Sequence, residues 1–140
     1  MKKLLMSFFA LTISASAIAQ IPTYILPNSK KYAAAKTHFI GIVKANLKDA
    51  ESARFGPVIV CAWLPDLKLG LVNVNAKNSY GAYTGYKIGS VLDDGNTKGV
   101  IFLNPHPVGP EQFKEQRALL SALDACEPAI QAYKAGGFES

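Results

Sequence analysis

Leu71-Val72-Asn73-Val74-Asn75 alternates apolar and polar side chains at period two, with Val72 and Val74 on one face and Asn73 and Asn75 on the other. That alternation is the mark of a strand with one covered face. The strand it predicts covers Leu69 to Ala76. Upstream, Val58 to Trp63 is a short apolar run with β-branched residues, and Pro65-Asp66 supplies a turn between the two. Downstream, Lys77 to Gly81 is polar and able to turn, and Ala82 to Val91 reads as a further strand with Ala82, Thr84, Tyr86 and Ile88 on one face. Asp93-Asp94-Gly95-Asn96 is a strong turn signal, and Val100 to Leu103 is another short strand. The middle of the chain therefore predicts an antiparallel sheet of three to five strands.

Helical spacing appears on both sides. Asn28 or Ser29 is placed to cap a helix beginning at Lys30, in which Tyr32, Ala35, Phe39, Ile42, Val43, Leu47 and Ala50 recur at intervals of three and four. Gly56-Pro57 is read as the stop of that element. At the other end, Gly109-Pro110 opens a helix with proline in its first turn, and Glu111 and Glu115 lie near its positive end. Phe113, Leu119, Leu120, Leu123 and Cys126 supply its apolar face, Pro128 is expected to kink or restart it, and Gly136-Gly137 ends it. Ile21 to Pro27, bounded by prolines, reads as an entry arm or edge strand. The order helix, sheet, helix predicts an α+β fold, with both helices on one face of the sheet and Asn73, Asn75 and some tyrosines on the other.

The first nineteen residues read as a cleavable signal peptide. Lys2 and Lys3 form a positive n-region, Leu4 to Ile13 an apolar core, and Ala17-Ile18-Ala19 a small-x-small cleavage pattern before Gln20. As a membrane anchor the apolar run is too short for about 30 Å of hydrocarbon. No cysteine stands at the cleavage site for a lipid anchor, so the expectation is a soluble domain of residues 20–140 in the periplasm or outside the cell, with no membrane insertion after cleavage. The chain carries a formal charge of +5, loses two of those charges with Lys2 and Lys3, and scatters the remainder. No arginine-rich run or basic stripe argues for nucleic acid. Cys61 and Cys126 are the two cysteines; in an oxidising compartment an even count favours a bridge, the alternative being two separate buried thiols.

The segment from Asn73 to Lys87 interleaves amides, lysines, glycines and tyrosines. Tyr80, Tyr83 and Tyr86 each present a flat apolar ring with a hydroxyl, a side chain favoured in recognition surfaces. Asn75, Lys77, Asn78 and Lys87 add polar contacts, and Gly81 and Gly85 admit a partner close to the backbone. The plainer reading is a hairpin whose asparagines and glycines make the turn while the tyrosines pack on the sheet. The two readings are compatible.

Leu47-Lys48-Asp49-Ala50-Glu51-Ser52-Ala53-Arg54-Phe55, then Val60-Cys61, then Val74-Asn75-Ala76-Lys77-Asn78-Ser79-Tyr80-Gly81-Ala82-Tyr83-Thr84-Gly85-Tyr86 resembles a group of small exported bacterial proteins of uncharacterised function. Their pattern runs roughly L-x-D-P-x-S-A-x-F, then V-C-G-x-V-N-A-K-N-x-x-G-G-Y-x-G-F. Here Ala50 stands where proline is usual, Ala82 replaces the second glycine, and Cys61 lies further from Asn75. The resemblance implies export and a shared fold and carries no activity.

Catalytic signals are weak. Cys61 and His106 as nucleophile and base would need an exposed thiolate in a positive neighbourhood, and Cys61 lies in an apolar run. His38 and His106 are far apart, without carboxylates or cysteines at ligand spacing, so no metal or cofactor is expected. Asp93-Asp94 reads as an exposed turn rather than an acid–base pair. The expectation is a non-enzymatic binding or inhibitor module, of the kind that confers immunity, acting on another envelope or secreted protein. The alternatives are an accessory part of an envelope assembly and a glycan or small-molecule binder.

Overall fold

The computed structural model describes residues 23–138, so the signal segment and its cleavage site lie outside the described residues. The elements are α1 (Tyr32–Ala45), β1 (Arg54–Trp63), β2 (Lys68–Asn75), β3 (Lys87–Asp93), β4 (Lys98–Phe102) and α2 (Gly109–Ala135). The four strands form one antiparallel sheet in sequence order β1-β2-β3-β4. The fold is α+β. The entry arm does act as an edge: Ile25 pairs antiparallel with Val60, donating its N–H to the Val60 carbonyl at 3.1 Å. Among helices of the described residues, none is long and apolar enough to cross a membrane.

The two helices pack on opposite faces, which corrects the single-face arrangement read from the sequence. Phe39, Ile42 and Val43 of α1 pack with Val58, Val60, Val72, Val74 and Val91 in one core cluster. Cys126 and Ala129 of α2 pack with Cys61 and Leu71, flanked by Ile59, Leu69, Leu123 and Ile130, in a second. The physical reason lies in β2. Leu69 and Leu71 point away from Val72 and Val74, so both faces of the central strands are apolar, and one helix covers only one of them. The Cys61–Cys126 disulfide ties α2 to the second face. On the first face, Gly70 sits directly beneath Phe39. A Cβ there would lie 2.7 Å from the Phe39 ring, so the ring rests on bare backbone.

Several boundaries differ from the sequence reading. Helix α1 starts at Tyr32 and stops at Ala45 rather than running from Lys30 to Ala50. Its N-terminus carries no side-chain cap, and the Asn46 amide donates to the Ile42 carbonyl at 2.8 Å where the helix ends. Strand β1 runs through Gly56-Pro57 instead of beginning after them. An edge strand tolerates a residue without an N–H, and the register shifts between Phe55 and Val58. The stretch 82–86 is loop, not strand: Gly81 (φ 79°) and Gly85 (φ 99°) turn the chain, and pairing with β2 begins only at Lys87. Helix α2 is continuous through Pro128, because Cys126 and Ala129 hold that turn against the sheet.

Candidate functional site

The chain leaving β2 at Asn75 and returning into β3 at Lys87 makes a loop whose shape is fixed by its own side chains. Asn78 is the pivot. Its Oδ1 accepts the N–H of Tyr80 at 2.9 Å and of Ala82 at 3.1 Å. Its own N–H donates to the Ala82 carbonyl at 2.8 Å, and its carbonyl accepts the Gly81 N–H at 3.0 Å. A short polar side chain that satisfies neighbouring backbone donors closes a tight turn. Tyr80 at its tip is 96% exposed. On the return, Asn75 Oδ1 accepts the Gly85 N–H at 3.2 Å.

The base of the loop is clamped to the segment leading into β1. Lys77 and Tyr83 form an isolated antiparallel bridge. The Tyr83 hydroxyl donates to the Ser52 carbonyl at 2.8 Å, and Ser52 Oγ accepts the Lys77 N–H at 3.3 Å. Arg54 lies 4.2 Å and Lys77 5.6 Å from the Tyr83 ring centroid, two cations stacked on one aromatic face system. Asp49 in turn accepts the Ser52 N–H at 3.2 Å. The two halves of the pattern quoted above, around Asp49–Arg54 and around Lys77–Tyr83, thus meet in space.

The seven residues singled out from the sequence divide into two groups. Asn75, Lys77, Asn78 and Tyr83 brace the loop. Tyr80, Tyr86 and Lys87 face outward, with Tyr86 54% exposed. Tyr86 lies apart from the tip, against Gly56 and Asn73. Sequence reasoning did not single out Ser52 or Arg54 as site residues; their only signal was their place in the quoted pattern. Beside the loop, Lys77, Lys87, Leu47, Phe102, Leu103 and Asn104 border an open cleft of about 500 Å³. Among the described residues no carboxylate forms an ion pair with Arg54, Lys77 or Lys87, although Asp49 and Glu51 lie close by in the chain entering β1.

Of the groups weighed for catalysis, Cys61, His38 and Asp93 have partners in the fold, while His106 is exposed. Cys61 is in the disulfide and offers no thiol. Asp93 is not exposed as the turn reading had it; it is 5% accessible. Its Oδ1 accepts the Gly95 N–H at 3.0 Å, and Oδ2 lies 2.8 Å from His38 Nε2. The Gly95 N–H, then His38 and Lys98, outweigh burial and hold the Asp93 carboxyl below the usual carboxylate range. His38 also packs edge-on against Phe39 and Trp63, an interaction the sequence did not reveal. Among the described residues no group of three potential ligands could hold a metal ion. Comparison of the chain with protein-family models, with curated proteins and with solved structures finds no match.

Proposed function

We propose that this chain is an exported, non-enzymatic binding module that uses the loop from Lys77 to Lys87 to contact another envelope or secreted protein, as an inhibitor or immunity-type factor does. The single observation that supports the reading is Tyr80, a large aromatic side chain held almost fully in solvent on a loop that hydrogen bonds and cation stacking keep in one shape. An exposed tyrosine on a rigid support loses little entropy on association and offers both ring and hydroxyl, the character of an interface anchor. Lys77, Lys87 and Arg54 suit a partner with an acidic rim. The buried disulfide points to an oxidising environment. Periplasmic or extracellular location is proposed from the signal-like N-terminus.

The test is capture of the C-terminally tagged protein from the envelope fraction after mild cross-linking. The reading expects one stoichiometric protein partner, lost in Tyr80→Ala while disulfide formation and unfolding midpoint stay as in the wild type. Capture unchanged by that substitution would remove the loop from consideration.

A further inference from the structure

A second concave site lies on the other side of Tyr86. Tyr86, Tyr133, Phe55, Phe138, Lys36 and Asn73 line a cleft of about 750 Å³ along the free part of the β1 edge. Its floor is Gly56. A Cβ at that position would lie 3.3 Å from the Asn73 Cβ and 3.5 Å from the Tyr86 ring, so the Asn73 side chain and the aromatic ring both lie close against this stretch of backbone. The half-buried Asn73 holds its Nδ2 beside Gly56, and Lys36 has no ion-pair partner among the described residues. Tyr32, the remaining aromatic wall, has its hydroxyl already committed to the Val58 carbonyl at 2.7 Å. Asn73 and Pro57 also border a smaller apolar pocket of about 220 Å³ under α2, lined by Ile59, Leu71, Ile88 and Ile130.

We infer that this cleft binds a small anionic saccharide carrying an acylamino group. The flat tyrosine faces receive a sugar ring, whose axial C–H bonds prefer an aromatic surface to water. The Asn73 amide, donor and acceptor at once, pairs with the acylamino group. The adjoining apolar pocket takes the acyl methyl. Lys36 meets the carboxylate. The site is separate from the loop tip at Tyr80, and the inference goes beyond the protein-binding reading without depending on it.

The test is a titration of the isotope-labelled protein, followed by amide shifts, with N-acetylmuramic acid as the probe. N-acetylglucosamine, which lacks the carboxylate, galacturonic acid, which lacks the acylamino group, and a short acidic peptide serve as comparisons. Saturable shifts at Gly56, Asn73 and Tyr86 are expected with N-acetylmuramic acid, and about fivefold weaker binding for each sugar lacking one group, the effect of one hydrogen bond. Asn73→Ala should weaken binding by a similar factor. Lys36→Glu, on the exposed side of α1, should lower affinity for the acid by a larger factor than for N-acetylglucosamine. Tyr80→Ala should leave all of these unaltered, so that failure here and failure of the loop are separable. The inference is overturned by the absence of saturable shifts, by shifts outside the cleft, by equal affinity for acid and neutral sugars in both wild type and Lys36→Glu, or by a response to the peptide and not to the sugars.

Discussion

The Tyr83 hydroxyl donates a 2.8 Å hydrogen bond to the Ser52 carbonyl, fastening the loop after β2 to the chain entering β1. The ring above that bond carries the Arg54 guanidinium at 4.2 Å from its centroid. Removing either contact should loosen the loop more than it destabilises the domain. Tyr83→Phe is expected to cost about 1 kcal/mol, the usual net value of one hydrogen bond. Arg54→Ala should cost roughly 0.5–1 kcal/mol. Urea unfolding measures both, and faster hydrogen exchange at the Tyr80 and Ala82 amides should accompany each.

The contact between Phe39 and Gly70 predicts a steric failure in the core. A methyl group at Gly70 would stand 2.7 Å from the ring that α1 lays on the sheet. Gly70→Ala should therefore destabilise by about 1–3 kcal/mol, as overpacking does. Phe39→Leu in the same chain should recover part of that loss, because the colliding ring is gone. A double-mutant cycle on unfolding midpoints checks the coupling.

Both Cys61 and Cys126 are buried, and their bridge joins positions 65 residues apart. A loop of that length restricts the unfolded chain by about 4 kcal/mol in the entropic account. The paired substitution Cys61→Ala with Cys126→Ala should lower the thermal midpoint sharply. The effect should be concentrated on the face covered by α2, read as greater exchange at Leu123 and Ile130 than at Phe39 and Val43.

Acid should weaken the fold through Asp93. Its carboxyl is held below the usual range, first by the Gly95 N–H and further by His38 and Lys98. A carboxyl whose folded pKa is depressed contributes stability that is present above its unfolded pKa and lost as pH falls through the folded one. Asp93→Asn should therefore show a smaller drop in urea midpoint than the wild type between neutral pH and about pH 3. An identical drop in both would remove Asp93 from the acid response.

The sheet was legible because Val72 and Val74 alternate with Asn73 and Asn75, and the C-terminal helix because its apolar residues and flanking glycines are local signals. The placement of α2 on the second face was less plain. Leu69 and Leu71 carry that information, yet the Val/Asn alternation beside them suggests one solvated face. The loop at 82–86 resembles a strand in sequence for a similar reason: Ala82, Thr84 and Tyr86 alternate as a strand does, but the two positive-φ glycines set the backbone. Tyr83 looked equivalent to Tyr80 and Tyr86 in sequence. Only folding brings Ser52 and Arg54 to it, and so makes it a brace while Tyr80 stays in solvent. The His38–Asp93 pair, 55 positions apart, has no local signature at all.

Contact between Tyr80 and a partner is open to a direct cross-linking experiment. Benzoylphenylalanine is placed at position 80, with the same residue at the exposed Lys114 of α2 as reference, and intact cells are irradiated. One discrete protein adduct is expected from position 80, competed away by the unlabelled wild-type protein and missing from position 114. Identical adducts from both positions, or none from position 80, would remove Tyr80 from the interface.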